Sequence, residues 1–147
     1  MAAALFQDLL ARRGDEAGWH VESAGTWVPQ SLPASALAAA TMGEKDLSLE
    51  DHRSRGVDRE LLGRQDLILV MEASHRESLL AEFPEIAGRV YLLAAMIGEG
   101  YAIRDPMGAS RDSYRELARE LHDLLERGYE RIASLARASA HRNTSNL

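Results

Sequence analysis

The sequence predicts an α/β fold built on a parallel sheet, and three observations carry that prediction. Residues Asp66-Leu67-Ile68-Leu69-Val70-Met71 form a continuous apolar run behind one carboxylate. A run of that length reads as a strand covered on both faces, the usual setting of strands in parallel sheets. Candidate elements alternate along the chain as helix, strand, helix, strand, helix, strand, helix, a βαβ series lacking its first strand. The last helix, residues 111–137, places Tyr114, Leu117, Leu121, Leu124, Leu125, Ile132 and Leu135 on one apolar stripe.

Taken in order, residues 2–13 read as a helix with Ala2, Leu5, Leu9 and Phe6 on one face and Gly14 as its stop. His20-Val21-Glu22-Ser23-Ala24 is a short strand candidate ended by Gly25. A loop containing Trp27, Pro29 and Pro33 leads to an alanine-rich helix at about 34–44. After the strand at 66–71, Ser74 is the expected cap of a helix over 75–82, with Pro84 beyond it. Val90-Tyr91-Leu92-Leu93 is another short buried strand. A loop through Gly98, Gly100 and Asp105-Pro106 then reaches the long helix. The organisation expected is one domain over residues 1–137 and a polar, frayed tail over 138–147.

A chain of 147 residues buries about two-thirds of the surface that its unfolded form exposes, enough for one hydrophobic core. The formal charge is −6, Lys45 is the only lysine, and no basic run stands out, which argues against nucleic-acid binding. No window reaches the length of a transmembrane span, and Met-Ala-Ala-Ala-Leu-Phe lacks the basic start of a signal peptide. A cytoplasmic address without membrane association is therefore expected. The chain contains no cysteine, which excludes disulfides, thiolate metal sites and a cysteine nucleophile among these residues. His20, His75, His122 and His141 form no metal-like spacing, so neither metal nor cofactor is expected.

Four segments, in this order and spacing, resemble the low-molecular-weight protein-tyrosine phosphatases. They are Ser23-Ala24-Gly25-Thr26, Asp51-His52-Arg53-Ser54-Arg55, the strand at 66–71, and Asp105-Pro106 before the last helix. The resemblance runs from Met1 to about Ile132. It implies a three-layer parallel sheet of the Rossmann- or flavodoxin-like type with the first, central strand absent. Family members open with a strand that delivers a Cys-x5-Arg phosphate loop, and Met1 falls where a methionine follows that loop. The chain is accordingly expected to be truncated, through an internal methionine taken as a start codon or through loss in the gene.

The resemblance also implies a chemistry. Hydrolysis of an aryl phosphate needs an in-line nucleophile, stabilised equatorial oxygens, and a proton for the leaving group. In the family a low-pKa cysteine attacks as thiolate, and loop amides with the arginine fork hold the phosphoryl oxygens. Asp105 matches the general acid, and Pro106 restricts it to extended backbone. An Asp-Pro pair is elsewhere a plain turn signal. Where the family usually has an aromatic after this pair, Met107-Gly108 stands here. Ser23 and His52 match polar positions that brace the phosphate loop; their other reading is a strand end and a satisfied loop histidine. Trp27 matches the substrate wall, or else packs as an ordinary aromatic.

Without nucleophile and loop, this chain is expected to be inactive as the family's hydrolase. A phosphorylated protein or small phosphate ester is the expected substrate of a complete enzyme. The alternative is a vestigial or partner-binding module, whose open sheet slot would invite strand-pairing self-association. Other α/β chemistries fit less well. A receiver domain needs acidic residues at strand ends and a nearby lysine, whereas Asp66 precedes its strand. Arsenate reductases of the same fold also need cysteine. Gly98-Glu99-Gly100 follows no strand in the manner of a dinucleotide fingerprint.

Overall fold

The computed structural model describes residues 1–26, 28, 29 and 31–144. Contacts divide the chain into two units, Met1–Gly56 with Asp105–Glu126, and Val57–Arg104 with Arg127–Leu147.

The first unit opens with helix α1, Ala2–Arg13, whose Leu5, Phe6, Leu9 and Leu10 are buried. It stops at Gly14, which takes φ 66°, a left-handed conformation that glycine adopts without a Cβ penalty. Gly14 N–H donates to Ala11 O and Asp15 N–H to Leu10 O, both at 3.0 Å, which satisfies two terminal carbonyls. Trp19 returns to set its ring edge-on to Phe6 at 5.3 Å. Helix α2, Ala36–Gly43, begins where the Ser35 hydroxyl accepts the Ala38 N–H. Its end is tied to the long helix by Glu44, which receives both arms of Arg115 at 2.9 and 2.7 Å. Those ion pairs hold the Glu44 carboxyl below its ordinary pKa.

Residues 20–24, expected as a strand, form none. The ladder contact here is a single parallel bridge between Gly25 and Gly56. A strand needs a neighbour with which to exchange backbone bonds along its length. This segment instead receives its fastening from side chains, described below.

The second unit holds the regular sheet. Strand β1, Ile68–Val70, pairs in parallel with strand β2, Val90–Leu92, with Ile68 opposite Val90 and Val70 opposite Leu92. Both strands are shorter than the apolar runs suggested. The Met71 carbonyl turns away to accept the Ile103 N–H at 3.0 Å. Of the run 66–71 only Val70 is buried; its neighbours are intermediate, so burial on both faces is not found. Leu62, Val70, Leu79, Phe83, Ile86 and Val90 form the core of this unit. At about 1.5–3 kcal/mol for each large side chain taken from water, that cluster contributes substantially to its stability.

Helix α3, Arg59–Gly63, was not expected from the sequence, because five residues are too short to show a period. Asp58 caps it by accepting the Leu61 N–H at 2.7 Å, and Arg89 donates to the carbonyl of Gly63 at its end and of Gln65 beyond it. Helix α4, Ala73–Glu82, starts earlier than expected, with Glu72 at the cap position and no side-chain cap bond. The Ser74 hydroxyl is bonded to the Glu72 carboxylate and does not cap the helix. Turns of 3-10 helix follow at Pro84–Arg89 and Ala94–Ile97.

Helix α5, Arg111–Thr144, gives its first half to one unit and its second half to the other. The predicted stripe is largely buried: Tyr114, Leu121, Leu124, Leu125 and Ile132 are inside, while Leu117 and Leu135 are intermediate. The helix does not fray at 137. Ala136, Ala138 and Ala140 are strong helix formers with no glycine or proline to stop them, and Ser139 is buried. Residues 145–147 of the expected tail lie outside the described residues. No helix among the described residues is long and apolar enough to cross a membrane.

Candidate functional site

The first unit carries the residues singled out from the sequence. Asp105 begins a turn in which its Oδ1 accepts the Met107 N–H at 2.9 Å. Ala109 N–H closes on Pro106 O at 2.8 Å, and Gly108 takes φ 79° to complete the reversal. Ser110 then starts α5, its hydroxyl accepting the Ser113 N–H and its carbonyl the Tyr114 N–H. Short polar side chains bonding backbone two residues on are a general means of fixing such turns. The result is an exposed carboxylate with one oxygen held by backbone. Its second oxygen has no hydrogen-bond partner among the described residues.

Ser23 and His52 come to adjoining segments. Gly25 N–H donates to Arg55 O at 3.0 Å, and Arg55 Nε donates to Ser23 O at 3.2 Å. Arg55 also pairs with Glu22 at 2.7 Å, and Glu22 lies 3.2 Å from His20. The Ser23 hydroxyl and the His52 ring make no hydrogen bond among the described residues. The backbone of His52 is engaged, with its N–H on Leu49 O and its carbonyl receiving Arg53 at 2.7 Å. Partial burial, the nearby Met1 amino group and Arg53 all disfavour the imidazolium, so the His52 pKa is lowered. The ring is therefore held neutral near neutral pH. Asp105 forms no hydrogen bond to Ser23 or His52 among the described residues. Trp27 lies outside the described residues.

Two organising residues, Ser54 and Arg55, stand in a family-like segment of the sequence without a role that the sequence assigned to them. Arg55 bonds to Glu22, Ser23 and Gly25, and Ser54 bonds to Pro29, Ser31 and Leu32 through its hydroxyl and backbone. The signal available was a five-residue polar run, Asp51 to Arg55, inside an otherwise mixed chain. Apolar side chains stand exposed on the same unit: Val28 at 38%, Leu32 at 49% and Met107 at 73%. No group of His, Cys, Asp or Glu among the described residues could hold a metal ion. Chemically, the arrangement offers an exposed carboxyl at Asp105 and, on a separate segment of the same unit, the His52 imidazole.

A family model for low molecular weight phosphotyrosine protein phosphatase matches residues 1–139. A protein-arginine-phosphatase of Bacillus subtilis (strain 168) is 31% identical over 126 residues, covering 85% of this chain and 82% of that protein. The low molecular weight protein-tyrosine-phosphatase Wzb of Escherichia coli (strain K12) is 36% identical over 118 residues, covering 80% and 77%. Among solved structures, the low molecular weight protein tyrosine phosphatase from T. tengcongensis superposes with TM-score 0.83 at 29% identity, covering 88% of each chain. The arginine phosphatase YwlE, in a mutant form with a phosphorylated active-site serine, gives TM-score 0.85 at 29% identity, covering 94% and 89%.

Proposed function

The chain belongs to the low molecular weight phosphotyrosine protein phosphatase family, and on that premise we propose that Asp105 is the general acid and base of a phosphate-monoester hydrolysis. The observation that carries this reading is the Asp105 turn. Its Oδ1 is fixed by the Met107 amide, which leaves the other oxygen exposed and free to carry the proton. In the first half-reaction a thiolate attacks phosphorus and the bond to the leaving oxygen breaks. Asp105 gives its proton to that oxygen. In the second half-reaction Asp105 takes a proton from water as the water attacks the phosphocysteine, releasing phosphate and restoring the thiolate.

None of the 147 residues is a cysteine. By themselves they carry the acid of this reaction and not its nucleophile, and they are inactive in the family's thiolate chemistry. Ser23 and His52 act as braces for a phosphate loop in this scheme, and their uncommitted hydroxyl and neutral ring suit that role. Trp27 serves as the wall beside the substrate. The substrate is a phosphorylated protein side chain, in keeping with relatives named as tyrosine and arginine phosphatases.

The test is to fuse a strand and Cys-x5-Arg loop of the family pattern ahead of Met1 and measure hydrolysis of p-nitrophenyl phosphate. Asp105→Asn in the fusion is expected to lower the rate by about 10²–10⁴-fold, the usual range for a general acid. A loss of only a few-fold would place the acid at another residue.

A further inference from the structure

The chain holds five methionines and no cysteine, so the thioether is the group among its side chains that takes up oxygen from an oxidant most readily. Exposure separates the five. Met42 and Met96 are 0% and 3% exposed, Met1 and Met71 are partly buried, and Met107 stands at 73%. The local turn accounts for that. Ala109 N–H closes on Pro106 O, and Gly108, third of these four residues, takes φ 79°, the sign that a type II turn requires at that place. Met107 sits at the tip of this reversal, which keeps its side chain out of the packed helices. Its amide is also the donor that holds Asp105 Oδ1 at 2.9 Å. The most accessible sulfur of the chain and the candidate acid therefore share one turn.

We propose that Met107 is a site of reversible oxidation by hydroperoxides, selective over the other internal methionines and confined in its effect to the Asp105 turn. The sulfur lone pair attacks one peroxide oxygen, so that an S–O bond forms as the O–O bond breaks. The departing hydroxide takes up the proton of the transferred oxygen and leaves as water. Sulfur is oxidised and the peroxide reduced, and no other reactant is needed. At Met107 the sulfoxide replaces an apolar side chain by a polar one in water, with no core disturbed. At Met42 or Met96 the same change would set a polar group among buried apolar side chains, which is costly without a hydrogen-bond partner. An exposed turn also leaves the sulfoxide open to the reductases that restore the thioether. This does not rest on the proposed activity and is tested without it.

The test is a time course of the 147-residue chain in hydrogen peroxide, with each methionine followed by peptide mass spectrometry. Met107 is expected to gain one oxygen about tenfold or more faster than Met42 and Met96, and ahead of Met71. In denaturant the four rates should converge, which assigns the difference to the fold. Methionine sulfoxide reductases of both epimer specificities should return Met107 to the thioether in the folded protein. Amide NMR shifts should move on oxidation at Asp105, Met107 and Gly108 and stay in place in α1. In Met107→Leu the fastest oxidation should vanish while the remaining methionines keep their rates. Three results would overturn the proposal: Met42, Met71 or Met96 reacting as fast as Met107 in the folded chain, a sulfoxide that the reductases remove only after unfolding, or shifts that spread through α1. The measurement on the unmodified chain decides even if Met107→Leu fails to fold.

Discussion

The unit of residues 57–104 and 127 onward gathers six buried apolar side chains around two paired strands, from Leu62 to Val90. The unit of residues 1–56 and 105–126 has helices with buried faces, but its extended segments are fixed by polar side chains: Arg55 on Glu22 and Ser23, Ser54 on Pro29 and Leu32, and Asp105 on its own turn. Apolar burial is non-directional and large, whereas a hydrogen bond nets only about 0.5–1.5 kcal/mol but fixes direction. The contrast explains where the candidate site lies. Chemistry needs side chains held in direction, and the polar-fastened segments of the first unit are the ones that carry the candidates Ser23, His52 and Asp105.

The comparison breaks first at Ile86, which is 1% exposed in the second unit's core. Ile86→Ala should cost about 2–5 kcal/mol in chemical denaturation, the range for deleting a buried large aliphatic side chain. Arg55→Ala, at a half-exposed ion pair, should cost less than about 1 kcal/mol. Equal losses at the two positions would erase the distinction between the units.

Gly128 sharpens it. A Cβ there would stand 2.7 Å from Met96 Cβ, so neither backbone can yield cheaply. Gly128→Ala should destabilise by about 1–3 kcal/mol although alanine is the better helix former by about 1 kcal/mol. A stabilising result would show that this contact is loose.

A smaller effect, of opposite sign, is expected in the first unit. Thr41 is 1% exposed and its Oγ1 has no partner among the described residues. Thr41→Val keeps the shape and removes an unsatisfied hydroxyl, and should raise stability by about 1 kcal/mol. A loss in the thermal midpoint would mean that the hydroxyl is bonded in solution.

The smallest effect is a pH slope at His52. Its folded pKa lies below the ordinary 6.5, through burial first and then the Met1 amino group and Arg53. Folding therefore favours the neutral ring. That contribution is complete above the unfolded value and is lost as pH falls from 6.5 through the lower folded value. Stability measured across this window should fall toward acid and flatten in His52→Gln. An unchanged slope in the variant would assign the effect to other groups.

These differences also decide what could be read from sequence. The strands at 68–70 and 90–92 were legible because an apolar run and its partner both exist in the chain. The segment 20–24 has strand-like residues but no continuous neighbour, and no local pattern reports that. The apolar stripe of α5 was visible at its period, while its extension to Thr144 was hidden by a polar composition that helices tolerate. The turn at Asp105 was legible because Asp-Pro marks a turn by its own chemistry. Ser54 and Arg55 were not, since their roles are bonds to backbone more than twenty residues away. Trp27, singled out in the sequence, lies outside the described residues.

The most direct measurement of the functional account is phosphate release by the purified 147-residue chain, with p-nitrophenyl phosphate and with a phosphoarginine peptide as substrates. The account predicts no turnover above the buffer rate for either, because Asp105 has no thiolate to serve. Turnover that scales with protein concentration and disappears in Asp105→Asn would contradict it.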